Sequence, residues 1–333
     1  MKKILLILFS VVLALFCLII FLGWDTADPN RQISWGVTFS KLYATQSGLD
    51  WRQAYSEILD DLKIKKIRLV AYWEEIESQP EIFSFSDLDW QVAQAKARNA
   101  QIILALGRKT PRWPECHEPA WSSSQDMALR NQNLLNYIKE TVERYKNNSA
   151  IFAWQVENEP FLNFGDCPPL DVGLLDSEIA LVKSLDSRPI IVTDSGELSL
   201  WVWAAKRGDI FGTTMYRLVW QDKVGSYKYP LPPAFFRIKE RLTRVFVGLK
   251  KRFVVIELQA EPWGPRLAYD LPISQQLELM SYKEFTSLIN YAKKTGFSEY
   301  YLWGAEWWYW MKQNGHPEYW EYIKDLVASS PSS

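Results

Sequence analysis

Histidine is nearly missing from this chain: His117 and His316 are its two copies in 333 residues. Cysteine is scarce as well, with Cys17, Cys116 and Cys167 far apart. Together these shortages exclude a multi-histidine metal centre and a cysteine-rich zinc module. Neither charge sign dominates, since 38 Lys and Arg face 39 Asp and Glu for a net charge of −1. The basic excess of a nucleic-acid binder is therefore lacking. The first strand candidate runs out through Gly36-Val37-Thr38-Phe39-Ser40, with one glycine where a phosphate-cradling turn needs several. What is present is a folded-protein composition, 48% hydrophobic and 23% charged. Its oddity is 17 tryptophans, more than a core alone requires.

A long apolar run occurs once. Lys2 and Lys3 precede Ile4–Leu22, which at about 1.5 Å per residue just spans a bilayer's hydrocarbon core. The flanking lysines stay cytoplasmic, which places the rest of the chain outside. A cleaved signal peptide is the rival reading, although Gly23-Trp24-Asp25-Thr26-Ala27 offers no clear small-x-small site. Phe16 is too bulky for lipoprotein processing at Cys17. Residues 1–24 are thus read as a transmembrane anchor or signal segment, 25–32 as a short linker, 33–328 as one domain and 329–333 as a frayed tail. In an exported domain Cys116 and Cys167 can form a disulfide; two unpaired thiols are the alternative.

From residue 33 onward, short apolar runs alternate with amphipathic stretches. The runs are Ile33–Phe39, Lys66–Tyr72, Gln101–Gly107, Ile151–Gln155, Pro189–Thr193, Ile210–Met215, Arg252–Ile256 and Glu299–Trp303. Their continuous apolar character suits strands buried on both faces of a parallel sheet. Between them lie helical stripes: Trp51, Ala54, Tyr55, Ile58 and Leu62; Leu134, Ile138, Val142 and Tyr145; and Phe285, Leu288, Ile289 and Ala292. Eight such units in about 300 residues predict an α/β fold of the (β/α)8 (TIM) barrel type, preceded by the transmembrane or signal helix.

A barrel of this kind carries its chemistry at the C-terminal strand ends. Strand four ends in Trp154-Gln155-Val156-Glu157-Asn158-Glu159-Pro160, and strand seven in Val255-Ile256-Glu257-Leu258-Gln259-Ala260-Glu261. Two carboxyls at facing strand ends, one held protonated and one ionised, can cleave a glycosidic bond. The Asn158-Glu159-Pro160 triplet, the strand-seven Glu257, Arg68 on strand two, Gly107, Tyr216 and Trp303 resemble the retaining glycoside hydrolases of clan A, which includes cellulases, mannanases and β-galactosidases. Tyr72-Trp73, Phe83-Ser84-Phe85 with Asp89, and Pro111-Arg112-Trp113 add to the resemblance, which covers most of residues 33–320.

The resemblance implies roles. Glu159 is the general acid/base and Glu257 the nucleophile, with Glu157 and Glu261 as weaker rivals. Asn158 bonds the sugar 2-hydroxyl, Arg68 and Tyr216 position Glu257, and Trp303 floors the subsite. It implies a β-linked glycoside or polysaccharide substrate, hydrolysis by double displacement, and no metal or organic cofactor. Trp51 and Trp90 read as packing. Trp73, Trp113, Trp121, Trp263, Trp303, Trp307 and Trp308 fall at strand ends or just after them, where aromatic faces can stack on sugars. Trp73, Trp113, His117, Glu261, Trp263 and Trp307 are therefore expected to bind substrate, and Cys116–Cys167 to pin one wall of the cleft. The expected form is a monomeric catalytic domain outside the membrane, secreted if the leader is cleaved, with no nucleic-acid partner. A catalytically silent glycan-binding barrel and a transglycosylase remain as alternatives.

Overall fold

Each of the eight apolar runs forms a strand of the computed structural model. They are β1 (Ser34–Thr38), β2 (Lys66–Val70), β3 (Gln101–Leu106), β4 (Ile151–Val156), β5 (Ile190–Asp194), β6 (Ile210–Met215), β7 (Arg252–Gln259) and β8 (Glu299–Trp303). Every neighbouring pair is parallel, and β8 closes on β1 to complete a barrel in chain order. The structure describes residues 31–330 and, ahead of them, residues 12, 13, 17, 20, 23 and 24. The expected anchor or signal segment and its linker lie mostly outside the described residues, as does the end of the tail. Among the described residues no helix is long and apolar enough to cross a membrane.

The helical stripes become the layer around the barrel. Trp51, Ala54, Tyr55 and Ile58 are buried along Trp51–Asp60, whose N-cap Asp50 accepts from the backbone N–H groups of Arg52 and Gln53. Such a cap contributes about 1 kcal/mol. Trp51 meets Trp90 edge to face at 5.3 Å, the packing role expected of both. Helix Met127–Tyr145 buries Leu134, Ile138, Val142 and Tyr145. Phe285, Leu288, Ile289 and Ala292 do the same along Tyr282–Lys293.

Inside the barrel a second core gathers Ile103, Ala153, Ile191, Ile210, Val254, Ile256 and Tyr301. Here β7 departs from the expected strand, running on through Gln259 instead of ending at Ile256. It also carries one extra residue. Val255 pairs with Thr213 on one side and Tyr300 on the other, yet Glu257 pairs with Thr214 and Leu258 with Leu302. This bulge reverses the alternation. Val254 and Ile256 face inward below it, Val255 and Leu258 belong to the outer core, and Glu257 is returned to the interior.

The connection after β6 holds an antiparallel hairpin, Leu218–Gln221 with Gly225–Lys228, that the sequence pattern did not reveal. Trp201 links the layers nearby: it is fully buried, donates from Nε1 to the Ser195 carbonyl at 2.8 Å and packs on Phe211, Phe236 and Phe253. Trp201→Ala is expected to cost about 3–5 kcal/mol. Denaturant unfolding would read this as a lower midpoint at unchanged slope.

Candidate active site

Arg68 points from β2 into the barrel and is completely buried. A guanidinium there must find acceptors for its donors. Its Nε donates to Gln155 Oε1 at 2.7 Å, Nη1 to Glu257 Oε1 at 2.6 Å and Nη2 to Asn158 Oδ1 at 2.7 Å. One fork thus ties β2 to the ends of β4 and β7. The second oxygen of Glu257 accepts from the Tyr216 hydroxyl at 3.0 Å.

Glu159 is set by its backbone. Its N–H donates to Thr193 Oγ1 at 2.8 Å, and Thr214 Oγ1 donates to its Oε1 at 3.1 Å. Glu157 and Glu159 both adopt positive φ, 57° and 44°. Glu157 turns away to accept the N–H groups of Arg108 at 2.7 Å and Lys109 at 2.6 Å, a structural tie to the β3 loop. Gly107 has to be glycine there, because at its φ of 130° a Cβ would stand 2.6 Å from Glu157 Oε1. Burial raises Glu159 well above the ordinary carboxylate range, and the charges of Glu257 and Glu115 add to the shift.

A second buried cation, Arg112, organises the opposite side. It is paired with Glu261 and, through Nη2 at 2.7 Å, with Glu306 Oε2. Its guanidinium lies 4.1 Å from the Trp303 ring centroid and 3.8 Å from that of Tyr43. Trp303 Nε1 donates to Glu261 Oε1 at 2.8 Å. Beside the Arg112 cluster is a cavity of about 700 Å³, which the Arg68 network reaches through Tyr216 and Glu115 while Glu159 and Glu257 lie behind its lining. Trp303, Glu261, Arg112 and Tyr43 line it, with Tyr216, Glu115, Trp113, Phe164, Trp220 and Trp263. Glu261 Oε2 is buried with no donor among the described residues.

This arrangement sits on a stretch that resembles known families. The model for glycosyl hydrolase family 10 matches residues 70–167, from the end of β2 past Glu159. The chain is 28% identical over 182 residues to mannan endo-1,4-β-mannosidase A of Hypocrea jecorina, covering 53% of this chain and 35% of that one. It is 25% identical over 167 residues to β-galactosidase BgaA of Clostridium cellulovorans, covering 44% and 25%. It therefore spans between a quarter and about a third of the length of these relatives. The barrel also aligns with xylanase 10B from Thermotoga petrophila, solved with xylobiose, at a TM-score of 0.53, 15% identity and 82% of each chain. These partial likenesses to glycoside hydrolases support the clan A resemblance.

Of the residues that the clan A resemblance singled out, Arg68, Asn158, Tyr216 and Glu257 form one hydrogen-bonded group, with Glu159 beside it. Trp113, Trp263, Trp303 and Glu261 line the cavity. Five expected substrate contacts do not: Arg68 and Asn158 are fully buried in the network just described, and Trp73, Trp307 and His117 are held elsewhere. Trp73 is fully buried, stacked on Tyr137 and bonded through Nε1 to Glu77. Trp307 packs on Tyr319 and donates to Gln276. His117 is buried between the Glu74 carboxylate and the Arg112 carbonyl, so it braces Arg112 from behind. Trp121 and Trp308 are likewise spent on packing and on backbone carbonyls.

The expected disulfide is absent: Cys116 and Cys167 are free thiols. Their loops do meet, and a hydrogen bond with Cys116 raises the Cys167 thiol. Cys116 is meanwhile held to its own loop by a bridge to Lys109.

Arg112 and Glu115 are the residues that sequence reasoning missed. Both lie in a loop and both have positive φ, 86° and 72°. Pro111-Arg112-Trp113 was a signal for the site, but nothing in it gave Arg112 a partner. Glu115 Oε2 accepts from Asn158 Nδ2 at 3.0 Å. Burial, with the charge of Glu257 next, pushes Glu115 up to about 7.

Two outcomes are expected. Arg68→Met strands Glu257 as an uncompensated buried charge and should lower unfolding free energy by about 3–5 kcal/mol. Between the ordinary value of 4.5 and about 7, folded Glu115 keeps a proton that the unfolded chain has lost. Its contribution to stability is therefore present at acid pH and lost as pH rises through that window. Glu115→Gln should flatten this decline, measured as unfolding free energy at a series of pH values.

Proposed function

We propose that this protein is a retaining glycoside hydrolase acting on a β-linked saccharide at the outer face of a membrane. The observation that carries the reading is the Arg68 fork, which holds Glu257 and Asn158 together at facing strand ends beside Glu159, whose pKa burial raises. In the first step Glu257 attacks the anomeric carbon and forms a glycosyl ester. The bond to the leaving oxygen breaks as Glu159 gives that oxygen its proton. In the second step water attacks the same carbon. Glu159, now ionised, takes the water's proton and Glu257 departs as a carboxylate.

Raising Glu159 by burial suits the first step, because a general acid must arrive protonated. Arg68 supplies a compensating charge against Glu257 and Tyr216 fixes its second oxygen, so the attacking group is positioned in advance. The cavity has the chemistry of a sugar site, with aromatic faces for C–H surfaces and a few polar groups for hydroxyls. Glu261 Oε2 can accept from a sugar hydroxyl. The lysine-flanked apolar run Ile4–Leu22 supports attachment to the membrane with the barrel outside.

Incubation with a panel of 2-fluoro glycosides, followed by peptide mapping, is expected to label Glu257; labelling of Glu261 would overturn the assignment. Glu257→Gln should abolish hydrolysis of aryl β-glycosides. Glu159→Gln should lose far more rate, at least about 10²-fold, on poor leaving groups than on activated ones. Saccharide binding by the native protein without turnover of any substrate would defeat the enzymatic reading.

A further inference from the structure

Helix Pro233–Val247 follows β6 and precedes β7, so it runs antiparallel to the strands, from the cleft rim toward the far end of the barrel. Its inner face buries Phe236 and Thr243, and Phe236 packs on Trp201. An outer-layer helix ordinarily turns polar side chains to water on its other face. Here Ala234, Ile238, Leu242 and Val245 recur at helical spacing, and Leu249 continues the row past the helix end. Leu242, Val245, Phe246 and Leu249 are 46%, 76%, 63% and 82% exposed. Leu200 and Trp203, at the start of the helix packed alongside, are also exposed.

Two further observations name what covers this face. Residues 233–251 carry six Lys and Arg (237, 239, 241, 244, 250 and 251) and one acid, Glu240, in a chain whose net charge is −1. Lys239 turns inward to the Gly196 carbonyl over Trp201, and Lys251 and Arg244 bond backbone carbonyls at the helix end; the excess of positive charge beside an apolar stripe still fits the boundary between acyl chains and anionic headgroups. Gly23, which directly follows the apolar leader in sequence, also lies here. The carbonyl of Gly23, the residue after Leu22, accepts from Arg237 Nε at 3.0 Å and Nη2 at 2.8 Å. A Cβ on Gly23 would lie 3.4 Å from the side chains of Ala234 and Ile238.

We propose that this face is a membrane-docking surface. Leu242, Val245, Phe246 and Leu249 enter the outer leaflet and the surrounding Lys and Arg side chains engage anionic phospholipid headgroups. The proposal rests on the reading of residues 1–24 as a retained anchor. The anchor then delivers the barrel to the bilayer, and the helix fixes its orientation.

The full chain would be reconstituted in phosphatidylcholine nanodiscs with and without phosphatidylglycerol, and amide hydrogen exchange followed over residues 240–251. Exchange there is expected to slow at least about tenfold in the anionic discs, the scale of one to two basic side chains meeting an anionic surface. Val245→Glu/Phe246→Glu/Leu249→Glu should abolish the protection and leave aryl-glycosidase activity unchanged, which shows that the barrel is intact. Equal exchange in both lipids, from a chain that resists alkaline carbonate extraction, would overturn docking while the anchor stands. A chain recovered without residues 1–22, or extracted by carbonate, would overturn the anchor and docking with it. Protection that depends on two chains per disc would overturn docking in favour of self-association.

Discussion

A guanidinium buried in the middle of the barrel is the constraint from which the site follows. Arg68 has no access to water, and its charge is tolerable only if several donors and a counter-charge are satisfied together. Glu257, Gln155 and Asn158 meet that demand from two other strands. The positions of Glu257 and of Asn158 are thus consequences of one desolvated cation. Asn158 in turn holds Glu115, and Thr193 and Thr214 hold Glu159, so the polar centre is a continuous network.

Arg112 repeats the principle on the other flank with different partners. Arg68 is satisfied by hydrogen-bond acceptors alone. Arg112 adds two aromatic faces, Tyr43 and Trp303, to its two carboxylates. The expected floor of the cleft is therefore clamped by a cation and, through its indole N–H, by Glu261. His117, read from the sequence as a candidate sugar ligand, serves this clamp by capping the Arg112 carbonyl.

The strands were legible because runs buried on both faces are apolar without interruption, and the helices because their buried stripes keep a 3.6-residue period. Arg68, Asn158, Glu159, Tyr216 and Glu257 were legible because strand ends in a barrel converge. Rim position does not reveal side-chain direction, however. Trp303 closes β8 itself, whereas Trp73 and Trp307 lie just beyond strand ends in short helices whose packing turns them away from the cavity. Arg112 and Glu115 were hidden for a different reason: their aim depends on left-handed backbone in a loop, which has no periodic signature. The free Cys116 and Cys167 show a similar limit, since adjacent loops predict proximity but not a bond.

The extra residue in β7 has a consequence for how this barrel can change over evolutionary time. Below the bulge the strand serves the apolar interior through Val254 and Ile256; above it the inward positions hold Glu257 and Gln259. The direction of the Glu257 carboxylate is thus written in chain length more than in residue identity. Point substitutions can retune the core beneath without turning Glu257 outward, whereas loss of one residue would swing it into the helix layer. The lower half of the barrel is free to drift, and the upper half is locked by a count.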